Sequence, residues 1–190
     1  MPNLYIISGC NGAGKTTASY TVLPEMLDCK EFVNADEIAK GLSPFQPETV
    51  SFHAGRIMLE RIDELLGQNV DFAIETTLTT LSYQKTIEFA KSKGYKVTLL
   101  FFWLNNVKLA IERVKIRVSE GGHNIPEEII IRRYKKGIIN LVNVFVNLCD
   151  YWIIIDNSSK PYNLIAEGNK NSETSIYNKE ILEQIKNTTK

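Results

Sequence analysis

The sequence predicts an α/β fold, a parallel sheet with helices on both faces, and three observations carry that prediction. Apolar runs of strand length alternate with longer segments of helical period. The first apolar run, LYIIS, leads directly into a glycine-rich stretch, SGCNGAGKTT, at residues 8–17. At 190 residues and 44% hydrophobic, the chain can bury one sizeable core, so residues 1–190 are expected to form a single domain.

Five strands are expected, at LYIIS (4–8), EFVNA (31–35), DFAIET (71–76), YKVTLLFFWL (95–104) and YWIIID (151–156). Helices are expected between them at 15–27, 48–67, 80–93, 106–119 and 126–148. Pro24 falls near the end of the first helix. The second opens within SPFQPETV, where Pro and Glu suit a first turn, and stops at Gly67; Gly94 stops the third. In the fifth, Ile130, Tyr134, Ile138, Leu141 and Phe145 recur at helical spacing and form one buried stripe. The core is expected over about residues 3–165. The Asn-, Ser- and Lys-rich segment 157–190 reads as a peripheral extension, a strand or hairpin followed by a short helix.

Charge balance excludes some partners. Lys+Arg 22 against Asp+Glu 22 leaves zero net charge, so no nucleic acid and no membrane surface is an expected partner. Cys10, Cys29 and Cys149 lie far apart without CxxC spacing, which suits small buried or loop thiols in a reducing compartment. The stretch MPNLYIISG lacks the basic and apolar regions of a secretory signal, and no apolar run approaches the roughly 20 residues that span a bilayer. A soluble, cytoplasmic protein is expected.

Gly9, four further residues, then Gly14, Lys15 and Thr16 satisfy GxxxxGK[ST], with a strand before the motif and a helix after it. The loop Gly9, Cys10, Asn11, Gly12, Ala13, Gly14, Lys15, Thr16 and Thr17 is therefore the expected nucleotide-binding element. Its backbone N–H groups and the following helix N-terminus suit a triphosphate. Lys15 is expected to reach the β- and γ-phosphates, and the Thr16 hydroxyl to ligate Mg²⁺. The fold class is thus an α/β P-loop NTPase, a three-layer fold with a central parallel sheet of about five strands, helices on both faces and a helical lid.

The rest of the chain narrows the chemistry. A guanine-reading NKxD is missing at any usable place, since Asn178-Lys179 is followed by Glu-Ile. The acidic stretch FVNADE follows Lys15 by about twenty residues, a position that suits a small kinase with an acceptor entering at the second strand tip. Asp36 could take the proton of an acceptor hydroxyl, or cap the helix that EIAKGL suggests. Glu75, in IETT, could orient Mg²⁺ through water, bind an acceptor hydroxyl, or serve as a cap or surface charge. Thr76, Thr77, Thr79 and Thr80 suit caps for the helix near residue 80.

A kinase also needs cations beyond Lys15 to meet the charge of the transferring group. Arg113 and Arg117 lie one helical turn apart, Gly121-Gly122 breaks that helix, and Pro126 restarts one bearing Arg132 and Arg133. This helix, turn, helix unit is the expected lid. Arg133, nearer the edge of the buried stripe, is favoured for the cleft over Arg132, while each of the four arginines could instead lie on a solvated face. His123 reads as a turn or hinge residue.

In this order SGCNGAGKTT, FVNADEIAKGLSP, FAIETTL, KGYKVTLLFFWL and IERVKIRVSEGGHNIPEEIIIRRY resemble the zeta toxin family of P-loop kinases, over about residues 3–165. The resemblance implies an ATP-dependent kinase whose characterised members phosphorylate UDP-N-acetylglucosamine, with an antitoxin as protein partner. It implies Lys15 as loop lysine, Asp36 as base toward a sugar hydroxyl, Glu75 to Thr77 as the strand-end acidic group, and Arg117 with Arg132 or Arg133 as phosphate contacts. An ATP-dependent switch acting through a protein partner is the alternative that the loop and polar tail also permit.

Overall fold

The protein is described by a computed structural model, covering residues 1–170 and 174–188. Seven strands form one sheet: β1 Asn3–Gly9, β2 Glu31–Val33, β3 Phe72–Thr76, β4 Lys96–Trp103, β5 Tyr151–Asp156, β6 Asn163–Asn169 and β7 Ser175–Ile176. The order across it is β2-β3-β1-β4-β5-β6-β7, with the first five parallel and β6 and β7 antiparallel. Sequence reading found the five parallel strands; the last two are the hairpin expected of the tail. β1 lies in the middle, pairing Leu4 with Phe72 on one side and with Val97 on the other.

The helices are α1 Lys15–Thr21, α2 Ala35–Leu42, α3 Ser51–Gln68, α4 Ser82–Ser92, α5 Val107–Ser119, α6 Glu127–Asn140, α7 Val146–Leu148 and α8 Lys179–Asn187. α1 runs into a π turn at Val22–Met26, and a second π turn, Leu141–Phe145, joins α6 to α7, so the long segments expected at 15–27 and 126–148 are helical but not uniformly α. A 3-10 turn at Pro47–Val50 leads into α3.

One expected boundary shifts for a local reason. The strand expected through Ala35 stops at Val33 because Asn34 caps α2, its Oδ1 accepting from the N–H groups of Asp36 (2.8 Å) and Glu37 (3.4 Å). Asp36 is therefore inside the first turn of α2 and is not its cap. Near residue 80 the expected threonine capping is partly realised, with Thr80 Oγ1 accepting from the Ser82 N–H at 3.2 Å.

Period-two alternation sorts the side chains of the central parallel strands between two apolar layers. Leu4, Ile6, Phe72, Ile74, Leu99 and Phe101 pack with Met58, Ile87, Ile138 and Phe145 on one face. Tyr5, Ile7, Ala73, Leu100 and Phe102 pack with Leu23, Ala110, Val114 and Ile130 on the other. The C-terminal extension sits at the sheet edge but shares the first layer, burying Ile165, Ala166, Leu182 and Ile185.

Candidate active site

The chain switches direction across the sheet at β1, so the crevice at the strands' carboxyl ends opens where β1 meets α1. The glycine loop fills that crevice. Gly12 and Gly14 take positive φ (77° and 78°), which lets the loop wrap back, and no side chain caps the N-terminus of α1. Its N–H groups remain available to an anion. Lys15 is buried, with Nζ donating to the Cys10 carbonyl at 3.0 Å and lying 3.6 Å from Glu75 Oε1. The Cys10 thiol is pushed up to about 11 by burial, against the pull of Lys15, so it stays protonated.

Glu75 joins the strand tips. Alternation along β3 turns it to the face of Ala73, the α1 side, and there Oε2 accepts from Thr16 Oγ1 at 2.8 Å and from Asn34 Nδ2 at 3.0 Å. Its side chain is only 9% exposed, so it is neither a surface charge nor a helix cap. The hydroxyl and carboxylate oxygens of Thr16 and Glu75 are hard ligands of the kind Mg²⁺ takes, one or two from protein and the rest from phosphate and water. Among the described residues no group of three or more His, Cys, Asp and Glu gathers as a metal cage.

Asp36 stands two residues beyond Asn34 with its carboxylate half exposed. Arg133 lies between the loop and the start of α2: Nη1 donates to Asn11 Oδ1 at 3.2 Å, and the Asp36 charge acts on it, opposing the larger downward pull of burial. Arg132 is exposed. Arg113, left open by the sequence, donates to the Gly12 carbonyl (3.5 Å) and the Ser158 carbonyl (3.1 Å). Arg117 is placed otherwise: its Nη2 donates to the His123 carbonyl at 3.1 Å, and its Nε is buried without a hydrogen-bond partner.

Three contacts escaped sequence reading. Asn34 had a signal, an Asn three residues before Glu37, which is the spacing of a capping box. Asn157 donates to the Ala13 carbonyl at 2.8 Å, holding the loop from the end of β5, and nothing local in the sequence marks it. His123 brings Nε2 to 4.0 Å from Asp36 Oδ2.

A phosphate loop between β1 and α1, acidic groups at the next strand tips and arginines on a following helix pair define a P-loop kinase-like protein. Its sequence matches the profile of the Zeta toxin family over residues 1–181, and the chain belongs to that family. A Haemophilus influenzae protein described only as uncharacterized is 33% identical over 128 residues, 66% of this chain and 88% of that one. Among solved structures, the AvrRxo1-ORF1:-ORF2 complex with ATP superposes with a TM-score of 0.78 at 17% identity, covering 97% of this chain and 63% of that chain. This chain therefore spans less than two thirds of the length of that relative. The PezAT toxin-antitoxin system of Streptococcus pneumoniae gives 0.66 at 17% identity, covering 99% and 86%, and a gluconokinase from Sinorhizobium meliloti gives 0.52 at 14%, covering 83% of each. At such identities the structural likeness shows the fold. Family and fold agree on a P-loop kinase-like protein of the zeta toxin family.

Proposed function

We propose that this protein transfers the γ-phosphate of ATP to a hydroxyl of a small molecule, a nucleotide sugar such as UDP-N-acetylglucosamine being the first acceptor to test. The observation that carries the reading is the hydrogen-bonded run Thr16 to Glu75 to Asn34 to the Asp36 N–H, which ties the donor loop to the residue proposed as base through two strand tips. ATP with Mg²⁺, when bound, supplies the transferable group and a cation that neutralises developing charge.

The chain's own residues do the rest. Lys15 and the loop N–H groups hold the phosphates, and Thr16 with Glu75 would hold the metal. Asp36, half exposed at the cleft, accepts the acceptor's proton and aims its oxygen. Arg133 adds positive charge from the lid helix, and Arg113 steadies the loop carbonyl at Gly12. Arg117 reaches phosphate only by leaving the His123 carbonyl, so in this arrangement it braces the lid turn. Residues 1–190 act as one domain in this reading. The assemblies named for AvrRxo1 and PezAT support a protein partner, an antitoxin, as part of the proposal.

The test is transfer of labelled phosphate from ATP to a panel of nucleotide sugars and other hydroxyl acceptors. Asp36→Asn is expected to keep ATP affinity and lose transfer by about 10²-fold or more, and Lys15→Ala to lose both. Full transfer by Asp36→Asn would remove Asp36 from the role of base. ATP hydrolysis with no acceptor phosphorylated in the whole panel, alongside a tight ATP-dependent protein complex, would favour the binding-switch alternative.

A further inference from the structure

The turn between α5 and α6 is held more firmly than a solvent loop requires. Gly122 donates its N–H to the Arg117 carbonyl at 2.8 Å, Gly121 donates to Val118 at 3.0 Å, and Arg117 returns a bond to the His123 carbonyl at 3.1 Å. Lys115 and Glu127, at 2.6 Å, clasp the two helices just outside it. All of this orients one side chain inward. The His123 side chain is 13% exposed and ends 4.0 Å from Asp36, whose own side chain is 50% exposed. One edge of the Asp36 carboxylate therefore meets the imidazole while the remainder opens to the cleft.

We propose that His123 is a positioning residue for Asp36: carried on the lid turn, its imidazole fixes the carboxylate's direction, so that seating the turn is a condition for activating the acceptor hydroxyl. The role given to Asp36 rests on the kinase reading above; the contact does not. At 4.0 Å the pair lies beyond hydrogen-bond distance; in this proposal the turn seats closer when the acceptor enters.

Charge around the imidazole favours this use. Burial is the largest influence and lowers His123 below its ordinary range; Asp36 on α2 and Glu48 on the 3-10 turn raise it, and Arg117 on α5 and Lys40 on α2 lower it. Burial thus favours the neutral ring, which can donate one N–H to the carboxylate without handing it a proton. A neutral donor directs the base and leaves it basic.

The chain has two histidines, so the experiment is an imidazole titration by NMR, with exposed His53 as internal reference and the His123 signal identified by its loss in His123→Gln. In Asp36→Asn the His123 midpoint should fall while that of His53 stays. An unmoved His123 midpoint overturns the contact. For transfer, His123→Ala is expected to lower kcat about ten- to a hundredfold with KM for ATP unchanged, and His123→Gln, which keeps an N–H donor, to restore most of it. Equal losses in both variants, or a loss carried by KM for ATP, would mean that the ring only folds the turn. If the unaltered protein phosphorylates no acceptor, the kinase reading falls, while the titration still decides whether His123 faces Asp36.

Discussion

Asp150 shows how much a single residue at the far end of the sheet contributes. Its Oδ1 accepts from Lys91 Nζ at 2.6 Å and its Oδ2 from the Val97 N–H at 2.9 Å, while its own N–H donates to the Val97 carbonyl at 2.9 Å. Burial alone would raise this carboxyl, but Lys91 and the Val97 N–H hold it below the ordinary aspartate value. A depressed native value adds stability above the unfolded value, near 3.8, that is lost as pH falls through the native one. Asp150→Ala is expected to cost about 1–2 kcal/mol near neutral pH, and the loss relative to the unaltered protein should shrink as pH drops below about 4. Urea unfolding at several pH values measures it. Residues were unevenly legible in the sequence. Glu75 could be placed on the α1 side by counting alternate positions along β3, whereas Arg113 and Arg117 share a helix face, yet Arg113 meets the Gly12 and Ser158 carbonyls and Arg117 the His123 carbonyl. Those partners are distant or folded-back backbone groups that no local pattern encodes.

At the scale of elements, the segment after β3 is set by α6. Leu78 is fully buried with φ at 55°, a strained value for a residue with a side chain, and the conformation persists because Thr76 Oγ1 accepts its N–H at 3.1 Å and Asn140 Nδ2 donates to its carbonyl at 2.6 Å. α6 comes this close because it carries Gly137 opposite Thr77, where an added Cβ would meet the carbonyl oxygen at 2.6 Å. Gly137→Ala should therefore push α6 outward and cost about 1–3 kcal/mol, read by thermal unfolding. It should also weaken transfer, since Arg133 rides on the same helix one turn earlier. The helix itself was legible from its apolar stripe. The glycine that sets its distance from β3 was not, because a close approach appears only once both elements are in place. The helix that EIAKGL suggests is α2, but its start is not legible in FVNADEIAKGL, because the strand ends at Val33 and Asn34, not Asp36, is the cap.

Across the whole molecule, the antiparallel edge completes a parallel core. β6 covers the outer edge of β5 from Tyr151–Asn169 to Asp156–Asn163, and α8 lays Leu182 and Ile185 against the first apolar layer. A chain ending after residue 160 would uncover that edge and remove four buried apolar side chains: Ile165, Ala166, Leu182 and Ile185. It is expected to lose more than about 3 kcal/mol and to aggregate, as denaturant unfolding and light scattering would report. The alternation of strands and helices made the architecture readable, and the loop motif located the crevice. Strand order was not readable, because it depends on which β-strand each crossover returns to. Among the described residues no helix is long and apolar enough to cross a membrane.

The central place of β1 also bears on how the protein is made. Its neighbours begin at Phe72 and Lys96, so once β1 is synthesised it has no partner until some sixty to ninety residues have followed. At about 5–20 residues per second that interval is several seconds to roughly twenty. Throughout it the apolar run LYIIS and the future nucleotide loop are tethered together in an unpaired nascent segment. The central strand is thus the segment whose pairing in this fold waits on the most distant parts of the chain.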